Sequence, residues 1–379
     1  MNKRMRKFLV SLGMVVVLGT GNAFADATIV NSQLAVDLKS AMDPADDYAV
    51  FADKFTPVTN PDFAFVDFDG TIAANDATIK KTIGATNQVT GNNTSYIVKL
   101  NEDSSASELF RTGNKLALDT GSHNIIEDQG TYIWVKSNGT NVKIAPNKNS
   151  TQIFSIPADE LGTKTKITNT LETLNTLSET LTTKSGDKVV SIVNINADDL
   201  KGSGDFNVDI KDLDGDGKLG VTVVNVTIPA GTTNFKTGKT LKINNSTFDD
   251  YNAIAGKVLF NFVTTDKKPY AGNLSFGMGG GVILAPSATV DIASDTGSGN
   301  FDGSVLCNIF RGNAAEVHQV EFNLIDKEYT DTPDTPDTPF DDYERDEETG
   351  DILPWGAIAG VGLAASGLFL VNRKDEDEE

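Results

Sequence analysis

Between Lys166 and Thr182 the residues Ile167, Leu171, Leu174, Leu177 and Leu181 recur at steps of three and four. That period places apolar side chains on one side of an α-helix, and such a stripe needs a surface to lie against. The chain around it reads differently. Runs such as Lys188 to Ile195, Gly220 to Ile228 and Lys257 to Val263 are β-branched or aromatic and partly alternate, as strands do. Clusters of glycine, asparagine and aspartate separate them and read as turns. A shorter helix is expected from Asn31 to Met42. Short strands with one packed helix suit a β-solenoid or a β-sandwich, and periodicity alone leaves both open.

The two ends carry signals of export and anchoring. Lys3, Arg4, Arg6 and Lys7 precede an apolar run from Phe8 to about Leu18, followed by Ala23-Phe24-Ala25. This is the order of a secretion signal, with cleavage expected after Ala25. Residues 353–371 are uncharged, and at about 1.5 Å per residue such a helix can nearly cross a hydrocarbon core. Asn372, Arg373 and Lys374 follow, and basic residues beside a span stay inside, so 372–379 is expected to be a cytoplasmic tail and 26–351 to be extracellular. Before the span, Thr349-Gly350 resembles the Thr-Gly core of a sortase sorting signal, although Glu347 stands where that pattern has proline. Sortase cleavage after Thr349 with transfer to peptidoglycan, or retention as a single-pass membrane protein, are the two outcomes.

The expected organisation is thus a signal peptide at 1–25, a domain at 26–328, a linker at 329–352, a transmembrane helix at 353–371 and the tail. The linker repeats Asp-Thr-Pro between Thr330 and Pro339. Proline at every third place favours an extended stalk of about 3.1 Å per residue. The net charge is −21, and removing the four basic residues of the signal takes it to about −25. Such a field excludes nucleic acid and anionic lipid as partners. Cys307 is the only cysteine, so the domain must hold together by its core rather than by disulfides.

Gly280-Gly281-Val282-Ile283-Leu284-Ala285-Pro286-Ser287-Ala288-Thr289-Val290 resembles the "gsiLAPnAtV" core of the choice-of-anchor A family. In the same order, Asn300 to Val305 is similar to its "gniNGqv" segment, and Ala315-Glu316-Val317-His318 with Phe322 to its "gEvHnypF" ending. Asp47-Tyr48-Ala49-Val50-Phe51 resembles its leading "dYnvFv". The family's domain is described as ice-binding-like and adhesive. The resemblance, over about 46–322, implies a mainly β chain: a right-handed β-helix, or solenoid, with the leucine-rich helix packed along it. It brings no catalytic residues.

Four other motifs invite chemistry. Asp67-Phe68-Asp69-Gly70-Thr71 matches the D-x-D-G-T of haloacid-dehalogenase-type phosphatases, in which one aspartate attacks phosphorus and the next handles the leaving-group proton. No strand–helix alternation follows it, as that fold requires, and the bland reading is a strand ending in an Asp-Gly turn. Asp212, Asp214 and Asp216, with the backbone of Lys218, have the alternating oxygens of a Ca²⁺ loop, but Val223 stands where the bidentate glutamate belongs. The alternative is a solvated acidic turn. His123, His318 and Cys307 do not have the spacing of a zinc site, and Cys307 reads as buried packing. Gly277 to Gly281 precedes a strand rather than a helix and reads as a tight corner.

The expectation is a non-enzymatic, cell-surface adhesin or display module that presents rows of Thr, Asn and Ser to an extracellular polymer, a host matrix protein or a neighbouring cell. The alternative is a structural wall or biofilm scaffold without a ligand of its own.

Overall fold

The computed structural model describes residues 32–56, 68–78, 94–101, 115–119, 123–128, 133–137, 140–144, 152–156, 163–215, 217–246, 248, 253–292, 300–312 and 316–323, with the backbone alone at 68, 94, 115–165 and 316. The chain divides into two units, Met1–Glu328 and Tyr329–Glu379. Every described residue belongs to the first.

The strands are β1 (Val50–Phe55), β2 (Phe68–Asp69), β3 (Ile72–Ala77), β4 (Thr94–Leu100), β5 (Lys115–Asp119), β6 (His123–Asp128), β7 (Ile133–Ser137), β8 (Thr140–Ile144), β9 (Gln152–Ile156), β10 (Val190–Asn196), β11 (Asp205–Val208), β12 (Val221–Ile228), β13 (Asn234–Lys236), β14 (Thr240–Ile243), β15 (Val258–Thr264), β16 (Asn273–Phe276), β17 (Gly279–Ile292), β18 (Asn300–Phe310) and β19 (Glu316–Gln319). Among the described residues two α-helices accompany them, α1 (Gln33–Asp46) and α2 (Thr163–Leu181). The protein is mainly β. Strands β6, β7 and β8 form a small antiparallel sheet, and the other sixteen join in one large sheet whose named pairs are parallel.

Three parallel ladders make up that large sheet. The first runs in the order β10-β12-β15-β17-β18-β1-β3-β4-β5-β9. The second passes from β11 through β14, β17, β18 and β19 to β2. The third passes from β13 through β16, β17, β18, β1 and β3 to β4. Strands β17 and β18 belong to all three, because each bends twice along its length. Gly279 and Gly281 have φ of 137° and 132°, a region open to glycine, where β17 leaves the second ladder for the first. A Cβ on Gly303 would lie 1.9 Å from the carbonyl oxygen of Gly281 on the neighbouring strand, so this corner admits no side chain.

Chain order breaks once in the first ladder. Strand β18, late in the sequence, pairs with β1, near its start: Val50 lies opposite Val305 and Phe55 opposite Phe310. The described chain therefore builds from β1 to β9 toward one end, restarts at β10 at the opposite end, and closes back onto β1. Helix α2 covers that return. Its 19 residues span about 28 Å at 1.5 Å each, comparable to six strand spacings of about 4.8 Å. Thr168 meets Asn75 on β3, Asn175 meets Ser287 on β17, Ser178 meets Asn261 on β15, and the Leu181 carbonyl meets Asn225 on β12.

Alternation along the strands divides the apolar residues into two cores. Phe260, Phe262, Phe276, Ile283, Phe301, Val305 and Phe310 point to one side and pack together, with Phe55 stacked on Phe310 at 5.4 Å between ring centroids. Leu259, Val282, Leu284, Leu306, Phe51 and Ala73 point to the other side, under Ile167, Leu171, Leu174, Leu177 and Leu181 of α2 and Leu38 and Met42 of α1. Strands buried on both faces read as continuous apolar runs, and β15 is buried over Val258–Val263. This is why the pattern of Lys257 to Val263 alternates only in part.

The helix ends show what the sequence reading left out. Helix α1 runs four residues beyond the expected Met42 and passes through Pro44. Burial of Ala41, Met42 and Ala45 outweighs the one backbone bond that proline removes in a last turn. Among the described residues no helix is long and apolar enough to cross a membrane. The expected span at 353–371 lies outside them, as do Ala25, Thr349, Gly350 and the Asp-Thr-Pro stretch.

Candidate functional site

The last carbonyls of a helix lack intrahelical partners and must find them elsewhere. At the end of α2 they are met by a row of asparagines in register on β10, β12 and β15. Asn194, Asn225 and Asn261 lie opposite one another. Asn261 Nδ2 donates to the Ser178 carbonyl at 3.0 Å and to Asn225 Oδ1 at 2.8 Å, and Asn225 Nδ2 donates to the Leu181 carbonyl at 3.0 Å and to Asn194 Oδ1 at 2.9 Å. Ser178 Oγ returns a bond to Asn261 Oδ1 at 2.6 Å. The row ends where Leu284 follows Asn261 in register. These amides are internal braces, and with α2 they cover the outward side of the first ladder.

The outward column of the second ladder is covered too. Gly280, Asp302, His318 and Asp69 follow one another in register, and all are buried. His318 Nδ1 and Asp302 Oδ1 are 2.8 Å apart. A Cβ on Gly280 would strike the ring of Phe248. Asp69 of the D-x-D-G-T motif is 4% exposed and precedes a clamped turn: Gln319 Oε1 accepts from the Thr71 amide at 2.8 Å, and Gln319 Nε2 donates to the Asp47 carbonyl at 2.8 Å. Asp67 lies outside the described residues.

The outward side of the third ladder is open. One column runs from Asn234 through Asn273, Thr289, Ile309, Lys54 and Asp76 to Lys99. Two residues further along each strand a second column begins with Lys236, Ser275 and Asp291. Backbone bonds from the amides of Arg311, Thr56, Thr78 and Asn101 to the preceding strands continue it. Between the columns Phe235, Leu274, Val290, Phe310, Phe55, Ala77 and Leu100 point into the core. Alternation thus fixes the two columns about 6.8 Å apart, with steps of about 4.8 Å along each.

Asn234, Asn273, Lys236, Lys54 and Arg311 are exposed, and Thr289, Ser275, Thr56 and Thr78 half-buried. Neighbours on this face bond along the column. Asn273 Nδ2 donates to Asn234 Oδ1 at 2.8 Å, and Asn101 Nδ2 to Thr78 Oγ1 at 3.0 Å. Lys99 lies 3.5 Å from Asp76. Burial raises the Asp291 carboxyl above its usual range, and Arg311 opposes that rise.

The acidic loop before β12 is placed in part. Asp212 and Asp214 are exposed and Lys218 is half-buried, while Asp216 lies outside the described residues. Asp212 Oδ1 accepts from the Gly215 amide at 2.7 Å and Oδ2 from the Gly217 amide at 2.8 Å. These two bonds, Gly217 first, hold its carboxyl below the usual aspartate range. Val223 is fully buried and offers no oxygen at the twelfth place. Both Asp212 oxygens thus accept from backbone amides of the same turn. Among the described residues no group of three or more His, Cys, Asp or Glu side chains could hold a metal ion.

Cys307 is fully buried, and burial first, then Asp291, pushes its thiol well above the usual range. It lies on β18, 11 residues from His318 in sequence but on another ladder, and His318 is held by Asp302. His123 lies on β6.

No curated protein sequence matches the chain. A family model described as an ice-binding-like adhesive domain matches residues 20–319, which include every strand named above. The chain belongs to the family of ice-binding-like adhesive domains.

Proposed function

We propose that this chain is a cell-surface, adhesin-like binding protein whose contact surface is the outward face of the third ladder. Membership of the adhesive-domain family over 20–319 carries the reading, and an extracellular or cell-surface location agrees with it. In our reading the three ladders are the three sides of a right-handed solenoid, with α2 as a brace laid along one of them. A stack of this kind presents fixed columns and binds by summing weak contacts over a broad surface. We assign it no catalysis.

The D-x-D-G-T motif serves as a corner in this proposal: Asp69 is buried beside His318, and Gln319 clamps the turn that follows. For attachment, the signal at 1–25, the stalk at 329–352 and the span at 353–371 together favour display from a C-terminal anchor. A wall-released peptide ending at Thr349 would establish sortase transfer to peptidoglycan. A membrane-retained peptide that includes Val371 would establish a single-pass anchor instead.

The test of the contact surface is obstruction. Asn273→Tyr with Thr289→Tyr places two rings on the open face, and cells displaying the full chain are compared on arrays of glycans and matrix proteins. Attachment by the natural chain that is lost in the double variant is the expected result. Equal attachment by both would overturn the assignment of this face.

A further inference from the structure

Charge and apolar content together narrow what the open face can hold. Both signs of charge stand in its two columns: Lys236, Arg311, Lys54 and Lys99 share them with Asp76 and Asp291. Lys99 lies 3.5 Å from Asp76, and Arg311 acts on Asp291. A polyanion would meet these acids and the field of a chain of net charge −21, and a polycation would meet the cations. A partner carrying a run of either charge is therefore penalised on this face. A protein partner needs an apolar, aromatic centre to bury. Among the described residues of the two columns none is aromatic and only Ile309, half-buried, is apolar.

What the columns do offer is uncharged hydrogen-bonding capacity. Asn234, Asn273, Thr289, Ser275, Thr56 and Thr78 carry amides and hydroxyls, each able both to donate and to accept. Lateral bonds hold several of them in place without exhausting them. Asn273 Nδ2 spends one hydrogen on Asn234 Oδ1 at 2.8 Å, and Asn234 Nδ2 spends one on Thr233 Oγ1 at 3.1 Å. The second hydrogen of each amide and the Asn273 carbonyl oxygen are engaged by no other described residue. Seven strands span about 29 Å at roughly 4.8 Å per step, room for several successive ring-sized units. Hydroxyl groups, which donate once and accept twice, match this mixture of donors and acceptors. We infer that the open face of the third ladder binds an uncharged, hydroxyl-rich polysaccharide lying along the two columns, with Asn273 and Thr289 among its direct contacts. This inference rests on the adhesive reading above and names its ligand class.

Galactomannan, dextran and xyloglucan serve as uncharged probes, each also prepared in a carboxymethyl and a diethylaminoethyl form. The full-length chain is expected to bind at least one uncharged probe and to hold it equally as salt rises, because contacts without charge are not screened. Both charged forms of the same backbone should bind more weakly. One net hydrogen bond is worth about fivefold, so Asn273→Ala with Thr289→Ala should weaken binding by at least about tenfold. Asn273→Gln with Thr289→Ser keeps the polar groups and should retain most of it. Thr173→Ala with Thr176→Ala removes two hydroxyls exposed on α2, away from this face, and should leave binding intact. Binding to none of the uncharged probes, tighter binding to either charged form, or equal loss in both alanine pairs overturns the inference. If the natural chain binds no uncharged probe, yet the Asn273→Tyr, Thr289→Tyr chain loses other array ligands, the ligand class is overturned while the adhesive reading stands. Array and probe binding both retained in that obstructed chain overturn both.

Discussion

Asp46 ties the start of the domain to its end in a way that pH should loosen. It is the last residue of α1, and its Oδ1 accepts the amide of Phe322, beyond β19, at 2.6 Å. Burial raises its carboxyl from 3.8 to about 7, the Phe322 bond opposes the rise, and the acids Glu321, Asp47 and Asp43 add to it. Between those two values the folded chain holds a proton at Asp46 that the unfolded chain releases. Stability from this group is therefore fully present below about 3.8, falls as pH rises, and is gone above about 7. At 1.36 kcal/mol per pH unit the interval is worth about 4 kcal/mol. Asp46→Asn keeps an oxygen for the Phe322 amide and cannot ionise. Urea unfolding followed by far-ultraviolet circular dichroism, repeated between pH 4 and pH 8, should show the variant level with the natural chain at the acid end. The variant should gain steadily toward pH 7 and then hold a constant lead of a few kcal/mol. A difference that stays flat across the range, or a variant weaker at pH 8, would refute the assignment of this strain to Asp46.

Asn261→Leu should cost about 3 kcal/mol, because Asn225 Oδ1, the Ser178 hydroxyl and the Ser178 carbonyl lose a buried partner together; the same urea titration measures it. Gly303→Ala should cost at least as much, since the added carbon meets a backbone oxygen at 1.9 Å that its in-register strand holds in place, and a lowered yield of folded protein with a depressed thermal midpoint is the expected outcome. Cys307 should resist a thiol reagent such as dithionitrobenzoate in the native protein and react fully in denaturant, since only the thiolate attacks. Asp212→Ala should loosen the turn it closes to proteolysis equally with calcium and with a chelator; protection that depends on calcium in the natural chain would support the ion-cradle reading of that loop.

The leucine stripe named α2 correctly because a helix against one surface leaves its period in consecutive residues. The strands were legible for the same reason. The pairing of β18 with β1 was not, since it joins Val50 to Val305 and no local pattern encodes a contact across that separation. The open face was hidden by unequal steps. Its first column passes from Lys54 to Asp76 to Lys99 at nearly even intervals, but from Asn234 to Asn273 to Thr289 in one long step and one short one. Connections of different length between strands erase any fixed repeat even though the register is regular in space. The usable signal was smaller: a short polar residue followed at once by an apolar one, as in Asn234-Phe235, Asn273-Leu274 and Thr289-Val290, marks the point where a strand turns its outer face to water.

The rigidity of that face bears on how it can bind. Its side chains stand on strands pinned by two ladders of backbone bonds and by a core of facing aromatic rings, and the far side is braced by α2 through the asparagine row. Ordering such a surface on binding costs little conformational entropy, so contacts that are individually weak can still sum to useful affinity. Shortening the α2 brace by Asn225→Leu should therefore weaken attachment only if it also loosens β12, β15 and the strands stacked beyond them. Hydrogen exchange on the third ladder decides this: unchanged protection with reduced attachment would mean that rigidity is not what the face contributes.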